Sequence, residues 1–201
     1  MKKSFTWKLA VGLAIVVALP LGCSCRQKIA DKAIEKAIET QAKKDGKDVD
    51  VKMDTKGGTM SIKAKDGSGD VNVDMKSDGS SFSMKTQDGV VLGGENAKIP
   101  DSFPKDVPVF PGAKPTLVTT DTKSEMFSVN LTTADTLENV GAYYKKELAA
   151  NGWKEGYTMA QPGDQPVQMM NYTKENRSVM VTVSREGGNT TLSLIVSKSG
   201  S

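Results

Sequence analysis

The chain has 201 residues, of which 27 are Lys or Arg, 24 are Asp or Glu, and none is His. Lys2, Lys3 and Lys8 lie in the first 22 residues with no acid among them; setting those three aside leaves 24 basic against 24 acidic side chains, a balance that carries no nucleic-acid footprint. The lack of imidazole excludes Ser-His and Cys-His nucleophile pairs and removes the commonest transition-metal ligand.

The chain opens on a basic flank followed by an uncharged run, Leu9 to Gly22, that closes on Leu19-Pro20-Leu21-Gly22-Cys23. Basic flank, short apolar segment and small exit residue read as a secretory signal. A spanning helix needs ~20 apolar residues to cross ~30 Å of hydrocarbon, more than this run supplies. The other reading of the segment is an uncleaved, signal-anchored membrane protein. Val16-Val17-Ala18 is a fair match to an ordinary cleavage site. Leu19-Pro20-Leu21-Gly22-Cys23 more closely resembles the lipobox of bacterial lipoproteins, with Pro20 where such signals usually carry Leu. That resemblance implies cleavage before Cys23, a diacylglycerol thioether on Cys23 and a palmitate-type acyl group on its new amino terminus. Ser24 after the cysteine implies the outer membrane by enterobacterial sorting. Two or more acyl chains hold a protein on a bilayer where one binds marginally. Cys25, too near Cys23 for an ordinary disulfide loop, is a leftover thiol beside the anchor.

From Arg26 the pattern turns helical. Ile29, Ala30, Ala33, Ile34, Ala37 and Ile38 form one thin stripe, and Lys32/Glu35, Lys36/Glu39 and Glu39/Lys43 are spaced as helical ion pairs. Asp45-Gly46 stops it. Residues 23–46 read as lipid anchor and solvated helical spacer, its Ile edge packed on the body.

An internal repeat fills residues 47–93. Apolar residues alternate with polar ones from Val49, Met60, Val71 and Phe82, starts that lie 11 residues apart, and Gly-containing turns separate them. Period-two alternation between glycine turns predicts successive hairpins, an antiparallel meander closed by Val90-Val91-Leu92. It has one apolar face and one of Lys, Asp, Asn and Ser, and needs a cover. Asp66, Asp70, Asp74 and Asp78 suggest calcium loops at first sight, but Lys76 and Lys85 fall where acidic ligands belong, so turn chemistry accounts for them. Met53, Met60, Met75 and Met84 offer soft sulfur ligands, yet they share one strand face and read as core. No metal or cofactor is expected.

Residues 94–115 hold Pro100, Pro104, Pro108, Pro111 and Pro115. Proline this dense predicts an extended, stiff connector, and Ile99, Phe103, Val107, Val109 and Phe110 predict that it wraps against a domain. The run Phe103-Pro104-Lys105-Asp106-Val107-Pro108-Val109-Phe110-Pro111-Gly112-Ala113 resembles a segment of uncharacterised bacterial exported proteins and lipoproteins. Tyr143-Tyr144-Lys145 and Gly152-Trp153 complete the likeness, which implies architecture and address and no activity.

Residues 116–198 predict an α+β domain. Strands are expected at Leu117-Val118 and Phe127 to Leu131. A helix follows, opened by Asp135 with Glu138, lined by Leu137, Val140, Tyr144 and Leu148, with Lys145 and Lys146 near its end and Asn151-Gly152 closing it. Trp153 to Met159, Val167 to Thr173, Val179 to Val183 and Leu192 to Val196 complete an antiparallel sheet, with a loop from Ala160 to Pro166. Asp164, Glu175 and Glu186 read as solvated turn charges; Trp153, Tyr157 and Tyr172 offer a pocket lining, though single aromatics on strands are more often core. The function expected is a cell-envelope lipoprotein whose body binds or scaffolds an unknown protein or small molecule. The alternative is a His-free hydrolase using carboxylates.

Overall fold

In a computed structural model, which describes residues 24–65, 69–76, 78–186 and 188–198, eleven strands join into one antiparallel sheet. A helix, α1 (Ser24–Lys44), precedes β1 (Val49–Asp54), β2 (Thr59–Ala64), β3 (Val71–Met75), β4 (Ser81–Thr86) and β5 (Gly89–Gly94). After the proline segment come β6 (Lys114–Asp121), β7 (Met126–Thr133), α2 (Leu137–Ala150), β8 (Lys154–Gln161), β9 (Val167–Lys174), β10 (Arg177–Glu186) and β11 (Asn189–Lys198). The spatial order is β1-β2-β3-β4-β5-β6-β7-β11-β10-β9-β8. Seven strands, β1 to β7, lie side by side in chain order, then α2 crosses to the far edge and the last four return to β7. The fold class is α+β, as the alternating strands and two amphipathic helices require.

The two halves of the sheet bury opposite faces. Directly opposed residues share a face, so the register can be followed across the sheet. Met53, Met60, Val73, Met84, Val91, Thr119 and Ser128 form one transverse row, which continues through Ile195, Met180 and Asn171 to Tyr157. We call this the front. In β1 to β3 the front is the apolar side, and α1 covers it: Ala42 and Ile38 pack with Val49, Val51, Met60 and Ile62. From β6 onward the back is the apolar side. Val118, Val129, Leu131, Leu194, Val181 and Met170 lie there, under Val140, Tyr144 and Leu148 of α2, all at 0–1% exposure. Strand β5 is where the sides exchange: Val91 faces the front with Met84, whereas Leu92 faces the back with Val118.

Gly93 marks that exchange. It stands opposite Phe82, whose ring lies over it, and an added Cβ would come 2.1 Å from Phe82 Cε1. Gly93→Val is therefore expected to cost about 1–3 kcal/mol by overpacking, read as a lower urea midpoint. Pairing it with Phe82→Ala should recover much of that loss if the ring is the obstacle.

Both helices end in the same way. Gly46 and Gly152 take positive φ, 74° and 81°. Lys47 and Trp153 donate to Ala42 O and Leu148 O, while Gly46 and Gly152 donate to Lys43 O and Ala149 O. Paired bonds of this kind satisfy carbonyls that a helix end leaves free. The start of α2 differs from expectation. Thr136, not Asp135, is the N-cap, accepting from Asn139 N at 3.2 Å. Asp135 supports it from one position back, its Oδ1 accepting from Thr136 N and Asn139 Nδ2. The cation at the far end is also different: the last turn of α2 has no basic residue, and Lys174 of β9 donates to Asn151 O at 2.8 Å.

The proline segment is not extended. Ala97, Phe103, Val107 and Ala113 donate to Gly94 O, Pro100 O, Pro104 O and Phe110 O, so it folds as successive tight turns. In the last, Pro111 and Gly112 (φ 76°) occupy the two central positions, the residues a type II turn demands. Pro115 lies inside β6, at a register shift, where pairing to β7 is present and pairing to β5 begins only at Leu117. A residue without an N–H is tolerated on that locally unpaired side. Strand β8 also outruns its expected end, taking Ala160 and Gln161 from the loop.

Candidate functional site

The residues of the proline segment, Tyr143-Tyr144 and Trp153 converge on one place, behind the sheet between the turns and α2. Phe103 and Val107 are buried in the main core, with Val109 and Phe110 packed against it. Tyr144 OH accepts from Phe110 N at 3.1 Å, and Tyr143 OH donates to Val109 O at 3.2 Å. Phe110, Tyr143 and Tyr144 form a run of edge-to-face rings, an arrangement the ring quadrupole favours. Burial pushes the Tyr144 phenol well above its ordinary range, so it acts as a neutral hydrogen-bonding group.

Asp106 is the centre of the charged part. Arg177 donates to it bidentately, Nη1 to Oδ1 at 3.0 Å and Nη2 to Oδ2 at 2.7 Å, and Lys174 Nζ donates to Oδ2 at 2.8 Å. The Asp106 carbonyl accepts from Trp153 Nε1 at 2.9 Å. Arg177 stacks 5.1 Å above the Trp153 ring, with Lys174 at 6.0 Å. The Arg177 hydrogen bond, against the cost of burial, then the Lys174 bond, hold the carboxyl at about 2. An ionised carboxylate with its lone pairs committed to two cations and flanked by a stacked indole is a fastening. It stays ionised near neutrality.

The second candidate is the uncovered part of the front face. Two transverse rows cross β4 to β11 there with no charged side chain; the second runs Phe82, Gly93, Leu117, Asn130, Ser193, Thr182, Met169, Met159. Tyr157, Met159 and Ile195 are its most exposed apolar members, at 47%, 54% and 37%. Sequence reasoning placed Tyr157 in the core, and the structure corrects this. Trp153 and Tyr172 are buried, at 3% and 1%, but Tyr157 stands on an edge strand. Tyr172 OH is buried with no hydrogen-bond partner among the described residues, and burial raises its pKa.

The remaining sequence candidates are held apart. Asp70 borders an open hollow of about 430 Å³ with Asn72, Lys85 and Gln87 on the polar back of the meander. Asp74 accepts from Ser83 Oγ, and Asp78 accepts from Ser80 N within its own turn. Asp66 lies outside the described residues. Met53 and Met60 pack under α1. Asp164 precedes β9 and Glu175 follows it, so eight extended residues, about 26 Å, separate them. The Glu186 side chain, Cys23 and residues 1–22 lie outside the described residues. No described helix is long and apolar enough to cross a membrane.

A family model described as START domain-like matches residues 114–191, which span β6 to the start of β11. Among solved structures, the chain is similar to the solution structure of cyanobacterial PsbP (CyanoP) from Synechocystis sp. PCC 6803. That match has 12% identity and a TM-score of 0.36, and covers 64% of this chain and 80% of that one. No curated protein matches.

Proposed function

We propose that this chain is a lipid-anchored protein of the bacterial cell envelope, at the outer membrane, whose body docks other molecules and does not transform them. The observation that carries the docking half is the pair of uncharged rows across the front from β4 to β8, with Tyr157, Met159 and Ile195 exposed on them. Meanwhile the densest ionisable group, Asp106 with Lys174 and Arg177, is spent on fastening the proline turns. The anchor half rests on the Leu-Gly-Cys ending of the leader and on where α1 begins. Ser24 is already helical, and Glu35 and Glu39 tie that helix to β1. A lipid on Cys23 would thus meet the body through a helix and no loose linker.

Cys23→Ser should leave a larger, unprocessed precursor that takes up no acyl label and leaves the membrane fraction. Label that follows Cys25, or a mature chain that begins after Ala18, would overturn the assignment. For docking, a photo-crosslinking residue at Ile195 in intact cells should give discrete adducts, whereas one at Lys63, on the polar back of the meander, should give none. Equal labelling at both positions would remove the front face from consideration.

A further inference from the structure

Three methionines gather at the β8 end of the front face. Met169 of β9 stands directly opposite Met159 of β8, and Met180 of β10 stands directly opposite Asn171 of β9. Register therefore puts three thioethers on one face of three adjacent strands. Opposed residues have Cβ atoms ~4.5–5.5 Å apart, and the diagonal pair, Met169 and Met180, falls within the ~7–8 Å that long side chains bridge. Tyr157, also opposite Asn171, closes the remaining side. The shorter Asn171 thus lies inside a ring of larger residues. Its amide oxygen lies against Gly156, where an added Cβ would come 3.0 Å from Asn171 Oδ1.

These methionines are not core. Met159 is 54% exposed, and Met169 and Met180 are half-buried, whereas Met53 and Met60 are packed under α1. The surroundings do not suit a hard ion. No carboxylate falls on the two rows that carry the ring, and Lys154 on the next row repels a divalent ion more strongly than a monovalent one. The ring offers neutral, polarisable sulfur on unbranched side chains, which can re-aim by rotation about three bonds. Thioether donors of this kind select Cu(I). We propose that Met159, Met169 and Met180 form a surface site for a soft monovalent metal cation, Cu(I), on the front of β8, β9 and β10. The site stands apart from the lipid anchor and needs no other molecule docked on the face.

The test uses the full chain in detergent with Cys23→Ser and Cys25→Ser, so that no thiol competes. Ag(I) serves as a redox-inert probe beside Cu(I) kept reduced by ascorbate. With the methionine methyl groups labelled for NMR, one equivalent of Ag(I) should shift the Met159, Met169 and Met180 signals together and leave Met60 in place. Competition with a Cu(I) chelator should give one site per chain. Met159→Leu, Met169→Leu and Met180→Leu should each weaken it at least about tenfold, since each removes one sulfur donor at nearly constant volume. Met126→Leu, on β7, should leave the affinity unchanged. Thioethers need no deprotonation, so affinity should be equal at pH ~7 and pH ~4, where a carboxylate or thiolate site would weaken. Absence of binding, shifts spread over all the methionines, an affinity indifferent to the three substitutions, or one lost on acidification would each overturn the proposal.

Discussion

Asp106→Ala is expected to lower the unfolding free energy by about 2–3 kcal/mol at neutral pH. The upper range for breaking buried pairs does not apply, since Asp106, Lys174 and Arg177 remain about a quarter exposed and the orphaned cations can hydrate. The same carboxylate sets an acid limb. Its pKa is about 2 in the folded chain, against about 3.9 for an ordinary aspartate. A depressed folded value means that the contribution is complete above the ordinary value and is lost as pH falls through the folded one. Urea unfolding of wild type and Asp106→Asn should therefore differ most above pH ~4 and converge between ~4 and ~2. A gap that stays constant down to pH ~2 would show that the loss comes from packing, with no ionised pair involved.

The strands were legible because each half of the sheet alternates cleanly. The repeat starts at Val49, Met60, Val71 and Phe82 fall within one residue of β1 to β4, and Asn151-Gly152 closes α2 where the pattern places it. What alternation does not carry is the side on which each strand's apolar residues fall relative to a distant strand. That depends on the β5–β6 register, which is formed across the turns between Gly94 and Lys114. One step in that register would put both cores on the same face. The helical spacer shows a similar limit. Glu35 and Glu39 sit at ion-pair spacing within α1, yet they accept from the β1 backbone, a use visible only once helix and edge lie side by side.

The fastening around Asp106 was half legible. The Phe103 to Ala113 segment, Tyr143-Tyr144 and Gly152-Trp153 lie far apart in the sequence and come together in the fold. They meet through Phe110 N to Tyr144, Tyr143 to Val109 O and Trp153 to Asp106 O. Arg177 and Lys174 carry no signal of it in the sequence. They flank a β9–β10 turn, lie 71 and 68 positions from Asp106, and look like ordinary surface cations. In sequence Asp106 follows Lys105, a neighbour able to balance its charge locally, so the run itself does not call for a distant counter-charge.

Cutting the chain just before β6 should leave a fragment that does not fold, whereas a cut just after β5 should leave one that does. The sequence places the boundary near Pro115, on the view that the strands and α2 hold their own core. In the structure that core is completed by the proline turns: Phe103 is 5% and Val107 3% exposed, Phe103 meets Phe127 edge-to-face at 5.7 Å, and Phe110 packs on Tyr143. Each fully buried side chain of this kind contributes about 1.5–3 kcal/mol. Adding the Asp106 fastening, the turns account for most of the ~5–15 kcal/mol by which a domain of this size is stable. Residues 114–201 would also bare Val118, Leu131 and Tyr144, which are fully buried in the whole chain. Residues 95–201 keep the turns and lose only the β5 ladder on β6. Amide exchange on the two fragments decides the matter. Protection of β7, β10 and β11 is expected in 95–201 and absent in 114–201. A protected 114–201 fragment would show that the turns dress a core that stands without them.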